Sequence, residues 1–370
     1  MSSPPVRMPA GAKYSVPVAC LPAPQAMEFA QPPLVAKNKR GAKNKVQPPL
    51  DRHVNLTTWL FGSCMPACDA SMLLADDDGV LGGCAMGAAG FDCNARELPL
   101  DKMVEFAEIQ IGEAIGRGEF ATVYRGVLHG HAVAVKRANV DVGSAPGKVV
   151  EDELVREVAA WHELDHPNIV RFIAACQEGS HRVIVTELVA GGNLCCLLHE
   201  RRQPLHHCSA VQICRQTAEA LRYMHNLRPV LVHRDVKSLN ILLDSSLNIK
   251  LCDFGLADWL VGGRLPTERN GGSPRYMAPE ILAGYSMNEK VDIWALGCVV
   301  VEVFGGPIPF EGITTVPQLK AALLNEKRSP GTYFPPSAPR HVRDDAELCF
   351  DREPCSRPSA QSLVDLCRAW

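Results

Sequence analysis

No apolar run in this chain is long enough to cross a bilayer. The longest, Ile293 to Phe304, is broken by Gly297 and Glu302, whereas a spanning helix needs ~20 consecutive apolar residues. The run is expected to be a helix buried on all sides, and the chain to have no membrane span. An excess of charge of one sign is also missing, because Lys+Arg 38 against Asp+Glu 41 leaves a net charge of −3. That balance gives no electrostatic reason to expect nucleic acid or an anionic membrane as the main partner. No internal repeat is visible, which excludes a stack of similar units. The first fifty residues are almost without acid, with Glu28 as their only acidic residue. Cysteine is not scarce, at 15, but Cys64, Cys68, Cys84 and Cys93 cluster without a C-x₂-C pair. They are read as free thiols in a loop, with zinc as the alternative.

What is present is ordinary for a globular protein: 46% hydrophobic and 21% charged residues over 370 positions. Such a chain supports a sizeable core and two or three domains. Cys195, Cys196, Cys208, Cys214, Cys252 and Cys298 sit in apolar or helical patterns, as buried small hydrophobes do. With no secretory segment ahead of the patterned region, a reduced, cytoplasmic setting is expected. The first fifty residues hold ten prolines and end near the basic stretch 37–45. Residues 1–105 are therefore expected to form a mostly disordered, proline-rich and basic extension. A nuclear-import patch, a nucleic-acid tether and an organelle transit peptide compete with that reading of the tail.

From about Phe106 the pattern tightens. Ile109–Gly112 leads to Glu113–Gly116, Thr122–Val127 alternates as a strand does, and Ala132–Lys136 follows a short turn. Val150, Leu154, Val158 and Trp161 mark one face of a helix, with Ile169–Ala175 and Arg182–Glu187 as further strand candidates. Ser209 and Gln212 have capping-box spacing ahead of another helix, and helical patterns dominate afterwards.

Chemistry concentrates in His233-Arg234-Asp235-Val236-Lys237-Ser238-Leu239-Asn240, followed thirteen residues after Asn240 by Asp253-Phe254-Gly255. Two carboxylates, an ammonium and an amide in so short a span are the groups needed to hold a metal-bound triphosphate beside a hydroxyl. Upstream lies Ile115-Gly116-Arg117-Gly118-Glu119-Phe120-Ala121-Thr122-Val123, whose glycines let backbone amides approach phosphate oxygens. Lys136 ends a strand eighteen residues after Gly118.

In these motifs the sequence resembles the protein kinase family, over residues 106–370. The resemblance implies an α+β, bilobal kinase fold with a small antiparallel sheet lobe carrying one helix and a larger helical lobe. Residues 106–189 would form the small lobe and hinge, and 190–370 the large lobe. It implies transfer of the γ-phosphoryl of ATP, with Mg²⁺, to Ser/Thr hydroxyls of protein substrates. Asp235 would orient the hydroxyl and accept its proton, Lys237 would steady the moving phosphoryl, and Asn240 and Asp253 would hold the metal. Residues 115–123, Ala134, Lys136, Glu157, Thr186, Glu187, Val189 and Leu242 would contact the nucleotide. Glu157 would anchor Lys136, with Glu153 as the rival one turn earlier. Ala121 replaces the third glycine of the family loop and is small enough for the site.

Lys237 in Asp-x-Lys-x-x-Asn resembles the Ser/Thr-directed members, most of all the tyrosine-kinase-like group of mixed-lineage and Raf-like kinases. Arg275-Tyr276 departs from that group, many members of which carry tryptophan there. Asp253 to Glu280 would delimit an activation segment, with Ser273 structural or an acceptor and Thr267 the more exposed acceptor for an upstream kinase or the protein itself. A phosphate on Thr267 could pair with Arg234. Glu280 would clamp Arg357, Asp292 would hold the catalytic-loop backbone, and Phe172, Trp161, Phe254 and His233 would pack as a column. Two alternatives stand beside the enzyme: an ATP-binding pseudokinase scaffold, and a tail that acts as a recruiting arm.

Overall fold

A computed structural model describes residues 99–118, 121–139, 154–265 and 271–370. The extension up to residue 98, the cysteines at 64–93, Glu119, Phe120, Glu153 and Thr267 lie outside the described residues. Five strands form an antiparallel sheet: β1 (Ile109–Arg117), β2 (Ala121–Leu128), β3 (His131–Ala138), β4 (Phe172–Glu178) and β5 (His181–Glu187). Their order is β1-β2-β3-β5-β4. Helix α1 covers residues 154–161, between β3 and β4. Successive strand side chains point to opposite faces, and this sheet uses both. Val183 and Val185 of β5 pack with Ile109, Leu128, Val133 and Val135. Ile184, between them, joins Val158 and Trp161 of α1 in the main core.

Residues just ahead of 106 are tied to this sheet. The Val104 N–H donates to the Ala175 carbonyl at 3.0 Å, and Lys102 Nζ donates to the His162 carbonyl at 2.6 Å.

The helical lobe carries α2 (His207–His225), α3 (Pro279–Ala283), α4 (Lys290–Val303), α5 (Val316–Lys320), α6 (Arg340–Glu347) and α7 (Ala360–Ala369). Two short ladders complete it: β6 (Leu231–Val232) with β9 (Asp258–Trp259), and β7 (Ile241–Leu243) with β8 (Ile249–Leu251). The α+β, two-lobed architecture follows the expectation. So does α4, which is buried at every position from Val291 to Val303. Gly297 permits this, since a Cβ there would stand 2.7 Å from the Cys349 Cβ and 2.8 Å from the Phe350 ring. No helix among the described residues is long and apolar enough to cross a membrane.

Helix α2 does not start at the expected capping box. It begins at His207 with extended His206 as its cap residue and no side-chain cap bond, so Ser209 lies inside the first turn. The His207 ring is instead fixed from outside, against Phe304 and by a 3.0 Å bond to the Trp370 carbonyl.

The lobes meet through β5 and the segment after it. The Gly191 N–H donates to the Leu243 carbonyl at 2.9 Å, and the Leu243 N–H donates to the Gly192 carbonyl at 2.8 Å. A Cβ on Gly191 would fall 2.3 Å from that Leu243 oxygen, so only glycine allows the approach. Glu187 ends β5 and turns its carboxylate toward the large lobe. It accepts from Lys250 Nζ of the large lobe and from the Arg171 N–H just ahead of β4, both at 2.7 Å.

Two buried carboxylates organise the large lobe. Glu280 accepts both arms of Arg357, at 2.7 and 2.8 Å, with the guanidinium 5.1 Å from the Trp294 ring centroid. Asp292, at the start of α4, accepts from the His233 N–H at 2.9 Å, the Arg234 N–H at 2.8 Å and His225 Nε2 at 2.9 Å. Burial works against the Asp292 charge, but the hydrogen bond and charge of His225, with help from His233, hold its carboxyl below the usual range. Arg357→Ala would strand Glu280, and should lower the unfolding free energy in urea by about 3–5 kcal/mol. Because the folded Asp292 value is lowered, its stabilisation is complete above the unfolded carboxyl value and lost as pH falls through the folded one. Asp292→Asn should therefore flatten the acid limb of the stability–pH profile, measured from about pH 5 down to about pH 2.

Candidate active site

A cavity of about 250 Å³ opens between the sheet and the helical lobe. One end is apolar, formed by Val123, Ala134, Thr186, Leu188, Val189 and Leu242. The other end is charged and carries Lys136, Glu157, Asn240 and Asp253. Ile115 and Gly116 of β1 and Glu187 of β5 also line it. The structure therefore brings most of the expected nucleotide contacts to one cavity.

Four residues of the glycine-rich segment have a different place: Arg117, Gly118, Ala121 and Thr122 do not line the cavity. They shape the turn instead. The Gly118 N–H donates to the Ala121 carbonyl at 2.8 Å, and Thr122 Oγ1 donates to Asn139 Oδ1 at 2.7 Å. Asn139 Nδ2 in turn donates to the Gly118 carbonyl at 3.0 Å.

At the charged end Lys136 Nζ donates to Glu157 at 2.7 and 2.9 Å and to Asp253 Oδ1 at 3.0 Å. Strand β3 delivers the lysine, α1 the glutamate and the segment after β8 the aspartate. Burial works against the Lys136 charge, but the two carboxylates more than offset it and raise its pKa. Asp253 responds in the opposite sense: burial pushes it up, and the Lys136 and Lys237 ammoniums pull it below the usual carboxylate range. Both stay charged in the interior because each supplies the other's counter-ion.

The segment 235–240 forms a second knot. Lys237 Nζ donates to Asp235 Oδ2 at 2.6 Å and to Ser273 Oγ at 2.8 Å. Asn240 Nδ2 donates to the Asp235 carbonyl and to its Oδ2, each at 2.9 Å, and the Ser273 N–H donates to Asp235 Oδ1 at 3.1 Å. Ser273 is thus bound to both Asp235 and Lys237, as its structural reading requires.

Strain accompanies this order. Arg234 and Asp253 hold left-handed backbone angles, φ 68 and φ 67, a conformation that costs a non-glycine residue on the order of 1 kcal/mol or more. The Asp292 carboxylate holds the Arg234 turn in place through two backbone N–H groups.

The expected aromatic column assembles. Ring centroids lie 6.4 Å apart for Trp161 and Phe172, 4.9 Å for Trp161 and Phe254, and 5.0 Å for His233 and Phe254. His233 Nδ1 accepts from the Asp235 N–H at 3.3 Å while its Nε2 donates to the Cys252 carbonyl at 3.1 Å. The ring therefore links the Asp235 segment to the Asp253 segment.

Arg234 is occupied in a way the sequence did not reveal. Its side chain is buried, with a guanidinium nitrogen 3.9 Å from Asp258 Oδ2, so a phosphate on the activation segment would have to compete with that carboxylate. Cys208 is exposed rather than buried, because it falls on the outer side of the first turn of α2. Arg125, Asn193, Leu239 and Cys252 also line the cavity. Nothing in their local sequence marks them except, for Leu239 and Cys252, adjacency to the motif residues. Among the described residues no cluster of three or more His, Cys, Asp or Glu could hold a metal unaided.

The chain matches the model of the protein kinase domain over residues 109–366. It is 34% identical over 268 residues to a probable serine/threonine-protein kinase of Dictyostelium discoideum, covering 72% of this chain and 28% of that protein. It is also 34% identical over 262 residues to the dual specificity protein kinase shkC of the same organism, covering 70% and 50%. A third relative, the serine/threonine-protein kinase CTR1 of Arabidopsis thaliana, is 34% identical over 278 residues, covering 74% and 33%. The chain thus spans half or less of the length of these relatives. Such relatives accord with the tyrosine-kinase-like group of Ser/Thr kinases that the motifs resemble. With its two-lobed fold, its shared cavity and a domain match over most of its length, this chain belongs to the protein kinase family.

Proposed function

We propose that the chain is an ATP-dependent protein serine/threonine kinase that transfers the γ-phosphoryl of MgATP to Ser/Thr hydroxyls of protein substrates. One observation carries the reading: Lys136 joins Glu157 of the small lobe to Asp253 of the large lobe in the wall of a single cavity. The apolar end of that cavity suits a purine, with the backbone of 187–189 along its edge. Lys136 at the other end suits phosphate oxygens.

The donors at that end fit a magnesium ion. Asn240 spends its amide hydrogens on Asp235, which leaves Oδ1 as its oxygen donor beside the Asp253 carboxylate. One carboxylate, one amide oxygen and the phosphates themselves make the hard oxygen set that Mg²⁺ takes. When bound, the ion would neutralise charge that develops on the phosphates.

Asp235 Oδ2 is held by Lys237 and Asn240, and Oδ1 by a single backbone N–H. A carboxylate oxygen has two lone-pair sites, so Oδ1 retains one for the hydrogen of a substrate hydroxyl. Lys237 lies beside it to balance the transferred charge. Transfer of this kind depends on positioning and electrostatics more than on covalent help. The pseudokinase alternative lacks its usual basis, since none of Lys136, Asp235, Asn240 and Asp253 is replaced.

Thr267 is the proposed acceptor for an upstream kinase or for self-phosphorylation. A phosphate on Ser273 would place negative charge against Asp235, which disfavours that position. Proposed locations are the cytoplasm and, through the basic stretch 37–45, the nucleus.

Asp235→Asn should reduce transfer from labelled ATP to Ser/Thr peptides about 10²–10⁴-fold, with nucleotide binding retained by calorimetry. Binding without transfer in the unmutated protein would instead support the scaffold. Glu157→Gln removes one of the two carboxylates from Lys136, and kcat/KM for ATP should fall about 10–100-fold. Unchanged kinetics would show that the pair is dispensable.

A further inference from the structure

A second cavity, of about 350 Å³, opens among the end of α2, the loop after it and the starts of α4 and α7. It shares no lining residue with the nucleotide cavity. Arg222 of α2, Arg228 of the loop and Lys290 of α4 all line it, with Glu289 as the one carboxylate on its wall. His225 lines it too, but its Nε2 is committed to Asp292. Three cations against one carboxylate leave the wall two charges positive, in a chain whose net charge is −3.

Cations gathered in this way repel one another unless something neutralises them. Among the described residues, none of the three is in an ion pair; their partners are neutral. Arg222 Nη1 donates to Gln361 Oε1 at 3.1 Å, and Arg228 Nη1 donates to the Asn226 and Leu227 carbonyls at 3.4 and 3.0 Å. Lys290 Nζ donates to the Arg357 and Pro358 carbonyls at 2.7 and 3.3 Å. Such bonds orient the side chains without cancelling their charge. On both arginines Nε and Nη2 keep their donors unspent among the described residues. The carbonyl end of α2 welcomes positive charge, and Arg222 lies in its last turn. A helix end supplies only about half a negative charge, however, which three cations exceed.

The rest of the wall narrows the choice of ligand. A phosphomonoester carries roughly −1.5 to −2 charges at pH 7 and three acceptor oxygens, which matches the surplus on the wall. Guanidinium forks suit phosphate oxygens in particular. Val230, Ile293 and Ala360 give the cavity an apolar side, and its volume lies at the small end of the range for small-molecule sites.

We propose that this cavity binds a small phosphomonoester, with Arg222, Arg228 and Lys290 on the phosphate and Val230, Ile293 and Ala360 against its organic body. The site is separate from the one that binds nucleotide and does not depend on the kinase reading.

Calorimetric titration of the full chain with phenyl phosphate at low salt should show binding that Arg222→Gln and Arg228→Gln each weaken about tenfold. Arg228 is exposed and Arg222 half-buried, so both variants should keep their Tm within about 2 °C. Glu289→Gln should strengthen binding about threefold, an effect that loss of structure cannot mimic. Should an arginine variant lose Tm, that sign decides: stronger binding in Glu289→Gln supports the site, and unchanged binding overturns it. Lys136→Met, in the other cavity, should leave phenyl phosphate binding as it is. Inorganic phosphate should bind about tenfold more weakly, because it leaves the apolar side bare. Equal affinity for the two anions would make this a site for free phosphate and overturn the assignment. So would absence of binding at about 10 mM phenyl phosphate, undiminished binding in both arginine variants, or loss in Lys136→Met alone.

Discussion

The buried ammonium of Lys136 is the constraint on which the rest of the site depends. Taken alone, a lysine at that depth would lose its proton or its place. It keeps both because one carboxylate arrives from α1 and another from the segment after β8. The ion pair therefore works across the cleft, and the two lobes share one electrostatic unit. Phe254, next to Asp253, is packed between Trp161 and His233. The aspartate is thereby held by apolar contact on one side and by charge on the other.

The same logic recurs beneath the segment 233–240. Asp292 and Glu302 both lie on α4, a helix with no exposed face. Asp292 fixes the backbone at His233 and Arg234, and Glu302 fixes the Ser238 side chain. Between these two anchors lie Asp235 and Lys237, whose own bond is 2.6 Å. A left-handed Arg234 would relax in a mobile loop. Here two backbone bonds to one carboxylate oppose that relaxation, so the loop geometry is set from the core outward.

Much of this was legible in the sequence because the motif residues are contiguous. His233 to Asn240, Asp253 to Gly255 and the strand ending at Lys136 each fall within a few residues of chain, and chemistry in one short span can be read without a fold. The partners Glu157, Glu280, Arg357 and Asp292 were reached through a family resemblance rather than through physics. The network around Glu302 was not legible. His199 and Glu302 are 103 residues apart, Ser238 and Glu302 are 64 apart, and no local pattern marks an interior carboxylate that will be bonded. The start of α2 was misplaced for a related reason. A capping box is a local signal, and here the contact of His207 with the Trp370 end of the chain accompanies a different start. Burial of Cys208 failed because helical periodicity gives a face only when its phase is known.

The balance of charge in the cavity also restricts how a nucleotide can enter. At and just beyond its charged end, Lys136 and Lys237 supply two positive groups, against three carboxylates on Glu157, Asp253 and Asp235. With no added cation the cluster is net negative, and a triphosphate would meet repulsion in a medium of low dielectric. On the proposed reading, nucleotide and divalent cation must therefore arrive as a charge-compensated unit. Asp253 would then divide its charge between Lys136, which its Oδ1 already meets, and the metal it would help to hold. That division explains why its neighbour is a lysine already neutralised by Glu157. If Asp253 were the only counter-ion of Lys136, binding the metal would strand a buried ammonium. The Glu157 carboxylate would keep Lys136 paired while Asp253 shares its charge with the metal.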